Sequence, residues 1–171
     1  DTIIFLPFIK ALSKKYNSPI SLLSKKNSKA DQYLHQTSYI DKILFLERNK
    51  NNNDRHDGFF GSLNLVKDIK KFNFNKIIIF NSSIRFNLIA KFSGIQEIYQ
   101  YPLFKKSHQH ITDTPRKFLK EKFDLNVNED PEVEIDDILV SESIKKFKIN
   151  KNEINILLGI GGSGPTKRIP A

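Results

Sequence analysis

Residues able to do chemistry gather in the last stretch of the chain, residues 153–171 (EINILLGIGGSGPTKRIPA). Gly159, Gly161, Gly162 and Gly164 would let backbone amides converge on an oxyanion. Ser163 and Thr166 add hydroxyls, and Lys167 and Arg168 add cations. Together these types make a phosphate cradle, strengthened if a helix N-terminus follows. The apolar run at 154–160 predicts a buried strand opening into the glycine turn, and Pro170 suits the first turn of a helix. That helix lies beyond the last residue and the chain holds no Met, so the sequence reads as a fragment at both ends.

Gly159, Gly161 and Gly164 also spell G-x-G-x-x-G, a dinucleotide fingerprint that would make this an oxidoreductase domain. The context disagrees. That motif opens the first βαβ unit and is answered about 20 residues later by an acid on the ribose. It is not a P-loop either, since Lys167 follows Thr166 and no Ser or Thr comes next. A plain glycine-rich connection stays open beside these readings.

Elsewhere the signals are sparser. Arg85 follows the apolar run at 76–80, outside the carboxyl end of a predicted strand, where α/β sheets place ligands. An ordinary helix-start cation is the competing reading. Asp1 has only a helix-capping role on local grounds. His108 and His110 could share one face of an extended segment, yet no Cys or acid pair accompanies them, and surface histidines are expected. No metal site and no Ser/His/Asp arrangement is recognisable.

The elements that would position these groups alternate. Residues 1–16 predict a helix, kinked or started at Pro7, with apolar positions at Ile4, Phe8, Ala11 and Leu12. Strands are expected at 20–24, 42–46, 76–80 and 96–101. Helices are expected at 28–36, 59–72, 84–92, 115–123 and 138–147. Helix 59–72 has its apolar spacing at Leu63, Val66 and Ile69, and KIIIF at 76–80 suits a strand buried on both faces. The Asn-rich stretch 49–57 and the basic stretch 105–114 are loops, and 126–137 is an acidic connector. This alternation predicts an α/β domain with a mainly parallel, Rossmann-like sheet and helices on both faces.

At 171 residues, with 39% hydrophobic content and 14 Phe, there is enough material for a core. No apolar run reaches the roughly 18 residues of a membrane span, and the opening residues lack the basic leader of a signal peptide. The absence of Cys excludes disulfides and thiolate metal sites. A net charge of +9 fits a surface near acidic lipid or sugar phosphate. It comes mostly from Lys, whereas phosphate geometry recruits Arg, so nucleic acid is not the expected partner. A non-enzymatic anion- or nucleic-acid-binding module is the alternative from another class.

Taken together, the residues resemble the N-terminal domain of glycosyltransferase family 9, the lipopolysaccharide heptosyltransferases. Four patches carry the resemblance: DTIIFLPFIKALSKKY with PISLL, then SYIDKIL, then KIIIFNSSIRFNLIAKFSG, and GGSGPTKRIP, which is similar to the family's S-G-P-x-K-R-W-P loop. The resemblance implies the N-terminal half of a GT-B fold, with residues 1–150 an acceptor-side domain lacking its first strand and 151–171 the start of the donor segment. It implies inverting transfer of a heptose from ADP-heptose, or a similar nucleotide sugar, to the lipopolysaccharide inner core or a related glycan, with no cofactor or required metal. Asp1 matches the family's proposed general base and Lys167 its donor-phosphate lysine. Ser163 and Thr166 fall in the same loop, and Arg85 takes an acceptor-side position. A cytoplasmic protein, peripheral at the inner face of the bacterial inner membrane, is implied, and the fragment alone should be inactive. Three departures stand out: the S-S-x-G before Asp1 is absent, Ile169 replaces Trp, and Asn81-Ser82-Ser83 stands where the family has D-x-Q-G.

Overall fold

The computed structural model describes residues 2–48, 54–102, 110–150 and 152–156. It contains four strands and six α-helices among these: α1 (Leu6–Tyr16), β1 (Ile20–Lys25), α2 (Ala30–Leu34), β2 (Ile40–Leu46), α3 (Gly58–Lys70), β3 (Lys76–Ile79), α4 (Ile84–Phe92), β4 (Glu97–Gln100), α5 (Asp113–Phe123) and α6 (Asp137–Lys146). The chain divides into two compact units, Asp1–Glu134 and Ile135–Ala171. All four strands lie in the first; α6 lies in the second, where Asp136 caps it by accepting from the Ile138 N–H.

Pro7 marks the effective start of α1 rather than a kink. A single 3-10 turn, Ile3–Phe5, precedes it, and Pro7 occupies the second position, where no intrahelical partner is lost. Asn17 ends the helix in the left-handed region, tolerable for Asn, and its N–H returns to Lys14.

The strands form two parallel pairs, β1 with β2 and β3 with β4, and no ladder joins one pair to the other among the described residues. Each pair is linked by a helical crossover, as parallel strands require. Side chains alternate cleanly across β3 and β4. Ile77, Ile79 and Ile98 enter one cluster with Leu65 and Ile69 of α3 and Ile89 and Ala90 of α4. Ile78, Phe80, Tyr99 and Tyr101 enter another with Phe8 and Leu12 of α1 and Phe118, Leu119 and Phe123 of α5. Period-two alternation between two helical layers is what a covered parallel sheet demands.

The two pairs belong to one layered body. Leu23 of β1 and Leu46 of β2 join the α3/α4 cluster, and Ile20 of β1 joins the α1/α5 cluster. Helix α1, with the turn before it, spans both pairs: Phe5 and Phe8 meet Phe80, while Leu6 and Ile9 pack with Ala30, Leu34 and Tyr39 beside β1 and β2.

Two expectations need correction. KIIIF does meet helical clusters on both faces, but only Ile79 is fully buried and its neighbours are half-buried, with a ladder partner for β3 on one side alone among the described residues. In α3 the inward positions are Gly61, Leu65 and Ile69, and Leu63 is 43% exposed. Gly61 sets that phase. Its backbone lies flat on His56, and a Cβ there would collide with the His56 carbonyl carbon and come within 2.7 Å of its oxygen. Ile154, Asn155 and Ile156 carry no regular structure, and the rest of the predicted last strand, with the glycine loop, lies outside the described residues.

Candidate functional site

Three parallel strands deliver polar groups to one edge of the first unit. At the carboxyl end of β1, the Ser24 hydroxyl bonds the Thr2 hydroxyl at 3.1 Å and the Ser28 hydroxyl at 2.9 Å. Lys25, Lys26 and Asn27 follow it. Together with Leu46, Glu47, Arg48 and Asp54 they line an open cleft of about 270 Å³. At the carboxyl end of β3, Asn81–Ser83 turns into α4. The Ser83 N–H bonds Asn81 Oδ1 at 2.7 Å, and Gln100 Nε2 donates to the Asn81 and Ser83 carbonyls, both at 2.8 Å. This bracing presents Arg85 in the first turn of α4.

Arg85 is half-buried. Its guanidinium donates to the His56 carbonyl at 2.5 Å, while its Nε is buried with no partner among the described residues. Arg48, just past β2, pairs with Asp57 at 3.5 Å. Burial, and then the like charge of Arg48, pulls the Arg85 guanidinium below its usual range, with Asp57 opposing. Two guanidiniums held close, one with an idle donor, make an electropositive edge suited to an anionic group.

The segment carrying this edge is tied down by His56, a residue that sequence reasoning did not single out. His56 is 3% exposed. Its Nδ1 accepts from the Glu47 N–H at 3.0 Å and its Nε2 faces Asp68 Oδ2 at 3.2 Å. Nδ1 is therefore the acceptor and Nε2–H the donor. Asp68 also receives Arg55 through both guanidinium contacts, at 2.9 and 2.8 Å, and Lys71 at 3.0 Å. Burial pushes the Asp68 carboxyl up, but hydrogen bonds from Lys71, Arg55 and His56, with the Arg55 charge, outweigh it and hold the group at about 2. Of the chain's five arginines, three meet around residues 54–57.

Among the residues singled out from sequence, Arg85 stands where the strand-end rule put it. Arg48 was missed, although it follows the end of β2 more closely than Arg85 follows the end of β3. His56 and Asp68 were missed because they are twelve residues apart and meet only through the turn into α3. His110 is exposed, with Nδ1 at 2.8 Å from the Thr112 hydroxyl. Asp1, His108, Ser163, Thr166 and Lys167 lie outside the described residues.

No protein-family model matches the chain, and no curated protein sequence does. A solved structure does: a glycosyl transferase family 9 protein from Veillonella parvula superposes with a TM-score of 0.71 at 18% identity, over 99% of this chain and 52% of that one. The fold is thus the mixed α/β, parallel-stranded type of a GT-B-like glycosyltransferase. The chain spans about half the length of that neighbour. Among the described residues no helix is long and apolar enough to cross a membrane.

Proposed function

We propose that the whole protein is an inverting glycosyltransferase of the family 9 type. It would move a heptose or related sugar from an ADP-sugar to the lipopolysaccharide inner core or a related surface glycan, at the cytoplasmic face of the membrane. The observation that carries this reading is the superposition with a family 9 glycosyltransferase along nearly the full chain. The two separate parallel pairs, spanned by α1, support a domain assignment in which a strand from residues before Asp1 lies between β1 and β3.

In this reading the Asp1 carboxylate takes the proton from the acceptor hydroxyl as that oxygen attacks the anomeric carbon. The bond from that carbon to the diphosphate oxygen breaks, and ADP leaves with the charge. Lys167, with the hydroxyls of Ser163 and Thr166, meets that charge where it develops. Arg85, beside Arg48 at the carboxyl ends of the strands, takes the acceptor side, where the paired guanidinium charges suit an anionic core sugar.

The test is made in the full-length protein. Asp1→Ala should reduce transfer by on the order of a thousandfold while ADP-sugar binding, followed by calorimetry, is retained. Lys167→Ala should instead weaken donor binding. Unchanged turnover in the first variant removes the general base, and unchanged donor kinetics in the second removes the phosphate contact.

A further inference from the structure

Helices α3 and α4 cover one face of the sheet side by side. Their inward residues, Leu65, Ile69, Ile89 and Ala90, belong to one cluster. Arg85 at the start of α4 reaches His56 just ahead of α3, and the Ser93 hydroxyl beyond α4 faces the Val66 carbonyl midway along α3. The helices therefore run parallel, and their outward positions share one solvent-facing surface.

That surface has an uncommon composition. On α3 it carries Phe59 and Phe60, 75% and 78% exposed, then Leu63 one turn on. On α4 it carries Ile84, Leu88 and Phe92, spaced four apart and 46%, 44% and 70% exposed. A soluble monomer seldom leaves so many large apolar side chains together in water. The same outward positions hold Lys67 and Lys70 on α3 and Lys91 on α4, which have no ion-pair partner among the described residues. Asp68 is the one carboxylate on either helix, and Arg55, His56 and Lys71 already occupy it. Any anion meeting this face meets cations and aromatic rings, with no free negative charge to repel it.

We infer that the α3/α4 face docks on an anionic phospholipid bilayer, with Phe59, Phe60, Leu63, Ile84, Leu88 and Phe92 entering the headgroup boundary and Lys67, Lys70 and Lys91 engaging lipid phosphates. Aromatic and aliphatic side chains beside lysines on one exposed surface are the pattern of an in-plane interfacial element. The net charge of +9 adds attraction toward such a membrane. The inference rests on the membrane placement in the proposed function and names the surface responsible, while its test is separable from transfer, since vesicle binding requires no turnover.

These 171 residues hold no Cys, so Phe60→Cys in the full-length protein, with any cysteine outside this stretch replaced by Ser, takes a polarity-sensitive fluorophore at one place. Titration with phosphatidylcholine vesicles containing about 30 mol% phosphatidylglycerol should shift its emission to the blue, with far weaker response to pure phosphatidylcholine. Adding Phe92→Ser should weaken binding roughly tenfold, as expected for one ring withheld from the apolar boundary. Lys67→Glu with Lys91→Glu should weaken it by more than tenfold on the anionic vesicles alone. Both positions are exposed, and unchanged melting curves will confirm the fold. A fluorophore at Glu121→Cys on α5 should stay unshifted. The inference is overturned if neither vesicle shifts the probe at residue 60, if residue 121 shifts equally, or if the probe is already shielded before lipid is added. Self-association in sedimentation velocity that Phe92→Ser abolishes would assign the face to a second copy instead.

Discussion

On the α1/α5 side of the sheet, rings hold the layers together, whereas on the α3/α4 side an aliphatic core is finished at one end by a charged knot. Phe118 meets Phe80 at 6.1 Å, Tyr101 at 5.2 Å and Phe123 at 6.1 Å, all edge-on. Across the sheet, Leu65, Ile69 and Ile89 pack plainly, and His56, Asp68 and Arg55 clamp the incoming segment. The first side derives its strength from area removed from water and from ring quadrupoles, which neither pH nor salt changes much. The second places its adjustable part beside Arg85. The difference separates bulk stability from the shape of the candidate site.

If that separation holds, Phe118→Ala should be the most damaging substitution, lowering stability by about 3–5 kcal/mol in urea unfolding, with a buried ring removed from Phe80, Tyr101 and Phe123. A loss under about 1 kcal/mol would mean the aromatic side is not the principal support. Gly61→Ala should cost about 1–3 kcal/mol, since its methyl must displace His56 backbone rather than a flexible side chain. Hydrogen exchange should show the 54–57 segment loosening first.

Asp68→Asn should cost about 1–2 kcal/mol at neutral pH, in line with a carboxyl held at about 2 against an ordinary 3.8 and partly screened by solvent. The sign follows from the lowered value. The contribution is complete above about pH 4 and fades as pH falls through 2, so wild type and variant should converge in acid. A gap that persists unchanged at low pH would place the knot's strength in packing. The smallest effect is expected on the aromatic side. The Tyr101 hydroxyl is buried without a partner among the described residues, and burial pushes its phenol far up. Tyr101→Phe should be neutral or stabilising by up to about 1 kcal/mol in thermal melts, because nothing satisfied is lost.

Much of the scaffold could be read from residue order alone. Alternating apolar runs and the turn at Ser93-Gly94 mark β3, α4 and β4 to within a residue, because local propensity and tertiary demand agree there. The phase of α3 could be read only in part. Apolar spacing gave Val66 and Ile69, which do pack inward, but counted Leu63 with them, whereas Leu65 and Gly61, pressed on the His56 backbone, complete the inward face. The site divides similarly. The position of Arg85 after β3 was legible because a strand end is a local feature. The Arg48–Asp57 and His56–Asp68 pairs depend on where a polar segment folds back, which no spacing in the sequence encodes.

The span between α1 and α5 also bears on how the molecule assembles. The Lys15 ammonium donates to the Phe123 carbonyl at 2.9 Å across 108 residues of chain, and Phe8 shares a cluster with Phe118. Each parallel pair, by contrast, closes over about twenty residues: Ile20 faces Ile40, and Lys76 faces Glu97. Loop closure favours the short circuits first. The aromatic side would then be the last seam to close during folding, a nascent chain would hold its rings exposed until α5 arrived, and aggregation would compete with folding during that interval.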